Sequence, residues 1–96
     1  MSEPPRGPLR ISVKLPNRNG LHARPAHLFV QTANRFESEL AVGREGLEKV
    51  NGKSIMGIMM LAAECGAELV LESDGTDAEQ QLAALRELIE SGFGEE

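Results

Sequence analysis

A proline at position 25, together with the apolar residues that follow it, constrains the fold of this 96-residue chain most strongly. Proline is tolerated in a helix only in the first turn, where its missing N–H group would have had no helical partner. A helix is therefore predicted to begin near Ala23. Its apolar face follows at helical spacing and consists of Ala26, Phe29, Val30 and Ala33, with Phe36 toward the helix end.

Alternating apolar and polar residues predict short strands around this helix. Leu9 to Leu15 alternates cleanly, which indicates a half-buried strand. Three further strands are predicted at Glu37–Val42, Leu47–Val50 and Glu68–Ser73. The segment Leu47–Val50 is weak enough in pattern that it also fits a loop.

Two more helices are predicted from their caps and apolar stripes. Ser54 precedes an apolar run as an N-cap would, and Gly66 is the expected stop of that helix. The run Thr76-Asp77-Ala78-Glu79 has the spacing of a capping box and predicts the start of the third helix. The apolar stripe of that helix consists of Ala78, Leu82, Leu85 and Ile89.

The predicted order of elements is βαββαβα. Three amphipathic helices then cover one face of a four-stranded sheet, which makes an α+β two-layer sandwich. Residues 9–91 are expected to form one domain. Residues 1–8 contain three prolines and few apolar side chains, and they are predicted to form a disordered tail.

Composition argues against two classes of partner. The chain has no Trp or Tyr and a net charge of −5, so it lacks both the stacking surfaces and the positive charge that nucleic acids select. No apolar run is long enough to span a bilayer, and the first ten residues lack the apolar region of a signal peptide.

The lone Cys65 cannot form an internal disulfide and is expected to be buried. A cytoplasmic location is predicted.

His22 is the residue best placed for chemistry, because it immediately precedes the first helix. The N-terminus of a helix presents unpaired N–H groups and partial positive charge, so an anion held there is stabilised. An imidazole is a competent nucleophile near neutral pH, and Arg24 could add a charge-assisted hydrogen bond. Spacing alone slightly favours the alternative, in which His22 is an ordinary polar turn residue and Arg24 a solvated helix charge. No metal site is predicted, because His27 lies five residues from His22, off the helical i+4 spacing.

The second helix has more apolar residues than one helical stripe can bury. They are Ile55, Met56, Met59 and Met60, and at least one of them is expected to be exposed. Ser54 is explained sufficiently as an N-cap. A phosphate added there would also place negative charge beside an apolar surface, which suggests a regulatory alternative.

Two motifs resemble the HPr phosphocarrier family of the bacterial phosphotransferase system. They are Gly20-Leu21-His22-Ala23-Arg24-Pro25-Ala26 and Lys53-Ser54-Ile55-Met56-Gly57-Ile58-Met59, and the resemblance runs in register from about Leu9 to Ile89. It implies an open-faced sandwich with an antiparallel sheet.

The resemblance also implies roles for particular residues. His22 would take a phosphoryl group from phosphorylated enzyme I and pass it to an enzyme IIA-type acceptor, and Arg24 would steady the phosphate. Ser54 would be the site that an HPr kinase/phosphatase modifies. The partner-binding residues would be Ala23, Ile55, Met56 and Met59. No cofactor is expected on this protein, which would act as a monomer, and Mg²⁺ would belong to the enzymes that load it.

The chain departs from the family pattern in two places. The N-terminal extension is longer, and the segment around Gly43 to Gly52 carries an extra residue, so the register of the third strand is open. His27 is assigned no role. Besides a phosphocarrier, the sequence fits a regulatory binding protein whose phosphorylation state selects its target, or a small α+β adaptor without phosphoryl chemistry.

Overall fold

The computed structural model describes residues 8–94, which contain four strands, three α-helices and a short 3₁₀ helix. The predicted βαββαβα order is confirmed. In chain order the elements are β1 Leu9–Lys14, α1 Ala23–Ala33, β2 Glu39–Arg44, β3 Val50–Asn51, α2 Ile55–Met60, β4 Glu68–Asp74 and α3 Ala78–Glu90, with the 3₁₀ helix at Gly92–Gly94. The prediction for the tail falls almost wholly outside the described residues.

The four strands form one antiparallel sheet in the order β1-β4-β2-β3. Strand β4 is central, pairing with β1 from Leu9↔Ser73 to Lys14↔Glu68 and with β2 from Glu39↔Asp74 to Arg44↔Leu69. Strand β3 adds only two residue pairs to the edge of β2. On both of its edges, β4 therefore lies beside residues that are distant from it in sequence.

The helices cover one face of this sheet and bury the core against it, which confirms the α+β open-faced sandwich. Helix α3 lies on β1 and β4, and α1 contacts both other helices. Every residue of the predicted α3 stripe is buried, as are Ala26, Phe29 and Ala33 of α1. The other face carries charges: Glu72 accepts hydrogen bonds from Arg10 Nη2 at 2.6 Å and from Lys49 Nζ at 2.7 Å. These bonds, that of Lys49 most, lower the pKa of Glu72.

Helix α1 and strand β2 do not have the predicted bounds. Helix α1 ends at Ala33, because the N–H groups of Arg35 and Phe36 turn to carbonyls three residues back. Phe36 therefore lies beyond the helix. Strand β2 starts two residues later than predicted. The backbone N–H groups of Glu37 and Ser38 donate to the Asp77 carboxylate and not to a neighbouring strand.

Strand β3 and the ends of two helices also differ from expectation. Leu47 lies in a turn, where its N–H donates to Arg44, so β3 does not include it. Helix α2 ends at Met60, and Gly66 instead forms the turn before β4, its N–H bonding the Leu15 carbonyl at 2.8 Å. Thr76 does not cap α3; the N-cap residue is Asp77.

Candidate functional site

His22 is the N-cap residue of α1, directly before the helix begins at Ala23 as predicted. Its backbone is extended (φ −78°, ψ −173°), and its carbonyl accepts the first helical hydrogen bond, from Ala26 N at 2.9 Å. The residue is half-buried. The imidazole is thus not sealed in the interior. The backbone of His22 is fixed by the helix that follows.

The first turn of α1 is suited to an anion. It consists of Ala23, Arg24, Pro25 and Ala26, with no acidic side chain among them. Pro25 is buried and has no N–H group, so the leading amides are those of Ala23 and Arg24. Arg24 is exposed, two residues after His22, and adds a positive charge to the partial charge of the helix end.

The loop before His22 is held from two sides. Asn17 Nδ2 donates to the Gly20 carbonyl at 2.7 Å, and Leu21 N donates to the Ala63 carbonyl at 2.9 Å. Gly20 has φ +63°, and a Cβ there would lie 2.3 Å from Ala63 O and 2.8 Å from Glu64 Cα. Only glycine fits this conformation and this close approach. The sequence showed Asn17 and Gly20 as turn formers, but not the segment against which the loop rests.

An open groove lies beside the N-terminus of α1. Among the residues that line it are Arg18, Asn19, Arg24, Cys65 and Glu90. Two arginine residues therefore line the groove, Arg18 and Arg24, of which one precedes and one follows His22 in sequence. Cys65 was expected to be buried, but it is exposed, with Sγ 3.8 Å from the Pro16 carbonyl oxygen. The expectation failed because Cys65 lies in the turn before β4 and not in a helix.

Ser54 caps α2, as predicted. Its backbone is extended (φ −113°, ψ 121°), and its Oγ accepts a hydrogen bond from Gly57 N at 3.1 Å. Lys53 ties the same segment to the turn after α1, because its Nζ donates to the Phe36 carbonyl at 2.6 Å. Gly52 is needed where it stands, since a Cβ would lie 2.4 Å from Leu40 Cδ2. Lys53 and Ser54 of the second motif, and the glycine directly before the motif, thus have structural reasons for their positions.

Helix α2 exposes four large apolar side chains, which confirms that at least one would be exposed. Ile58 is fully buried, whereas the exposed fractions are 37% for Ile55, 70% for Met56, 44% for Met59 and 72% for Met60. Helix α2 packs against α1, and the Leu21–Ala63 hydrogen bond joins the loop before α1 to the loop after α2. The two motifs, which residues 27–52 separate in sequence, are therefore neighbours in the fold.

Arg44, which the sequence gave no reason to select, fixes the end of α2. Its Nη1 donates to the carbonyls of Leu61 at 3.2 Å and Ala62 at 3.1 Å, and its two terminal nitrogens bond the two Glu64 carboxylate oxygens at 3.0 and 3.2 Å. These hydrogen bonds from Arg44 are the main reason that the pKa of Glu64 is lowered.

Two other structural features are absent from residues 8–94. No group of three or more His, Cys, Asp and Glu side chains is arranged to hold a metal ion. No helix in the same range has the length and apolar character needed to cross a membrane.

Comparison with known proteins gives one family. Residues 9–91 match the family described as the PTS HPr component phosphorylation site. The chain is 48% identical to phosphocarrier protein HPr from Neisseria meningitidis, over 91% of this chain and 97% of that relative. It is also 48% identical to the HPr-like protein Crh from Halalkalibacterium halodurans, over 84% of this chain and 93% of that protein.

Solved structures agree with this match. HPr from Thermoanaerobacter tengcongensis superimposes with a TM-score of 0.87 at 49% identity, covering 92% of this chain and 98% of that one. Crh from Bacillus subtilis, a catabolite repression protein solved as a swapped dimer, gives a TM-score of 0.70 at 44% identity, covering 83% and 91%. The chain therefore belongs to the HPr family, the phosphocarrier proteins of the phosphotransferase system.

Proposed function

We propose that His22 accepts a phosphoryl group from phosphorylated enzyme I and passes it to an enzyme IIA-type acceptor. The observation that carries this proposal is the position of His22, half-buried at the N-cap of a helix whose first turn has no acidic side chain. A ring nitrogen attacks phosphorus, a P–N bond forms, and the bond from phosphorus to the donor breaks with its electron pair left on the donor. The same steps in reverse unload the carrier.

The chain's contribution to this step is positioning and electrostatics. Phosphoryl transfer needs little covalent assistance from the protein, so a shallow surface site is sufficient. The helix end supplies partial positive charge, and Arg24 supplies a charge-assisted hydrogen bond to the phosphoryl oxygens. Because Arg24 is exposed, its replacement by Ala should slow transfer more than it lowers stability.

Partners are proposed to dock on the apolar surface beside His22. We define this docking surface by Ala23, Ile55, Met56 and Met59, all of them exposed. Methionine side chains adapt to differently shaped partners, which suits a carrier that binds a donor and an acceptor in turn. The carrier would act as a monomer, although some relatives form dimers.

Ser54 is the proposed regulatory site, modified by an HPr kinase/phosphatase. Its Oγ already serves as the cap of α2, and Ile55 and Met56 follow it on the docking surface. A phosphate would put about two negative charges at the border of that apolar surface, which opposes docking through desolvation and repulsion. A cytoplasmic location fits this scheme, and the single cysteine suits a reducing compartment.

A regulatory binding protein is the second candidate. The observation that favours it is the 48% identity to the HPr-like protein Crh, as high as the identity to phosphocarrier relatives. In this case phosphorylation at His22 or Ser54 selects a target, with little onward transfer. Capture of partners by the protein phosphorylated on His22 separates the two, because an enzyme IIA-type acceptor supports the carrier and its absence supports the regulator.

The test of the site is labelling by enzyme I, phosphoenolpyruvate and Mg²⁺. The matched variants are His22→Ala and His27→Ala, because His27 is the only other histidine and is exposed on the same helix. We expect label to vanish in His22→Ala and to persist in His27→Ala. Label on the natural chain should be lost in mild acid, as a phosphoramidate is. Acid-stable label, or label that survives in His22→Ala, contradicts the proposal.

A further inference from the structure

Arg44 forms hydrogen bonds with residues on both sides of Ala63. On one side it donates to the carbonyls of Leu61 and Ala62, and on the other it holds the carboxylate of Glu64 with two hydrogen bonds. The side chain of Arg44 is only 21% exposed, whereas that of Glu64 is 67% exposed. The guanidinium is therefore the fixed part of this arrangement, projecting from the last residue of β2.

The residue between these contacts supports the His22 loop. The Ala63 carbonyl accepts the hydrogen bond of Leu21 N at 2.9 Å, and Leu21 directly precedes His22. The backbone of Gly20 lies against Ala63 and Glu64 so closely that a side chain at Gly20 would overlap them. The position of the Ala63 carbonyl thus sets the position of the chain that enters the N-cap.

The backbone that carries this carbonyl needs an external hold. Ala62 has φ +48°, a left-handed conformation that disfavours any residue with a Cβ, and it stands just after the end of α2. Helix ends commonly place glycine there. Such a conformation persists when surrounding contacts impose it, and the hydrogen bonds from Arg44 are contacts of this kind.

We infer that Arg44 is a positioning residue for phosphoryl transfer, acting through Glu64 and the Ala62–Ala63 backbone to hold the His22 loop. This inference rests on the proposed function of His22. Arg44, the last residue of β2, would then affect the rate of phosphoryl transfer and not the docking of partners. Arg44 touches neither of the two motifs in the contacts described above, and its effect reaches His22 through the Leu21–Ala63 hydrogen bond.

Transfer kinetics with enzyme I provide the first test, and Arg10→Ala is the matched control for Arg44→Ala. Arg10 also bonds a glutamate with two nitrogens, at 2.9 and 2.6 Å, but on the uncovered face of the sheet. We expect Arg44→Ala to lower kcat by about tenfold through misplacement of His22. Its KM should stay within about twofold of the natural value, because the docking surface is intact. Arg10→Ala should behave as the natural chain does.

Two further variants keep the test decisive. Arg44→Lys retains the charge but not the fork of donors, so it should recover only part of the lost kcat. Glu64→Ala removes an exposed side chain, should fold normally and should lower kcat less than Arg44→Ala does. Equal kcat values for Arg44→Ala and Arg10→Ala, or a defect of Arg44→Ala confined to KM, would overturn the inference.

Hydrogen exchange tests the same inference without any phosphoryl chemistry. Leu21 N and Gly52 N each donate a loop hydrogen bond to a distant carbonyl, at 2.9 and 2.7 Å, and only that of Leu21 depends on Ala63. In Arg44→Ala the exchange of Leu21 should accelerate about tenfold relative to Gly52, since local opening sets its rate. An unchanged ratio refutes the positioning role. If the natural chain is not labelled at all, the proposed function fails while this measurement still reports on Arg44.

Discussion

The two ends of α1 are held in different ways, although they lie only about 16 Å apart along the helix axis. At the C-terminal end, Gln81 Nε2 donates to the Ala33 carbonyl at 3.0 Å, and Lys53 Nζ donates to the Phe36 carbonyl. Just beyond, the Asp77 carboxylate accepts hydrogen bonds from the amides of Glu37 and Ser38. Side chains from two other segments, the loop before α2 and the start of α3, therefore satisfy the backbone there.

The N-terminal end is anchored mainly through backbone. Leu21 N bonds the Ala63 carbonyl, and Gly20 packs against the same segment. The first turn of α1 presents Arg24 and no acidic side chain. The contrast teaches that this fold places several stabilising polar side chains at the C-terminal end of the helix, whereas the first turn has no acidic side chain that would repel an anion.

Gln81→Ala should have the largest effect on stability. Gln81 is fully buried, accepts a hydrogen bond from Ser73 Oγ and donates to the carbonyls of Ala33 and Ser38. Its loss removes one hydrogen-bond partner from each of three groups and leaves a cavity, which should cost about 2–4 kcal/mol of unfolding free energy. Urea denaturation measures this cost.

The neighbouring exposed Gln80 provides the matched control, and Gln80→Ala should change stability by less than about 0.5 kcal/mol. In Gln81→Ala, labelling of His22 should remain normal at temperatures where the variant is folded. A slower rate of labelling in the folded variant would show that the two ends of α1 are coupled and would break the comparison.

Gly20→Ala should come next, and it should affect both stability and transfer. The new Cβ meets Ala63 O, and alanine disfavours φ +63°, so a loss of about 2 kcal/mol is expected. Gly66→Ala is the control: Gly66 has φ +90°, and apart from Gly66 and its two chain neighbours no atom of residues 8–94 lies within 4 Å of its added Cβ. This variant should lose only about 1 kcal/mol of unfolding free energy, from the strained backbone alone, and its rate of phosphoryl transfer should be normal. Equal transfer rates in the two variants would argue against the contact with Ala63.

Asp77→Asn should change how stability depends on pH. The hydroxyl of Ser38 and the backbone N–H of Glu37 lower the pKa of Asp77, the hydroxyl being the larger cause. A carboxyl group with a lowered pKa in the folded state contributes stability above its ordinary value of 3.8, and this contribution is lost as the pH falls through the folded-state pKa. Asp77→Asn should therefore be less stable than the natural chain at neutral pH, and the difference should shrink in acid.

Acid titrations of unfolding, monitored by circular dichroism, measure that difference. Asp74→Asn is a suitable control, because Asp74 is exposed at the end of β4. A constant difference between Asp77→Asn and the natural chain from neutral to acidic pH would mean that Asp77 acts by hydrogen bonding alone.

Met56→Ala should have the smallest effect on stability. Met56 is 70% exposed, so its truncation should alter the unfolding free energy by less than about 0.5 kcal/mol. The KM for enzyme I should nevertheless rise, since Met56 belongs to the docking surface. Leu47→Ala is the control, because Leu47 is 52% exposed but lies in the turn after β2. A matching rise in KM for Leu47→Ala would place docking elsewhere.

Local signals predicted the order of elements, the start of α1 and the cap of α2. Pro25 and the stripe after it act within one or two turns, and so does the bond from Gly57 N to Ser54. The same kind of reasoning failed at Thr76. The carboxylate of Asp77 bonds a loop almost 40 residues away, and that contact sets where α3 begins.

The sequence by itself determined that a histidine would stand at the entrance of a helix and that a second, short helix would have more apolar residues than it could bury. Only the tertiary structure decided that Met56 and Met60 would be the most exposed of them, that Cys65 would face solvent and that Arg44 would bond the loop after α2. The physical reason is the distance in sequence over which the interactions act. Helix starts and caps depend on hydrogen bonds that span up to four residues, whereas exposure and support depend on which distant segments the sheet brings together.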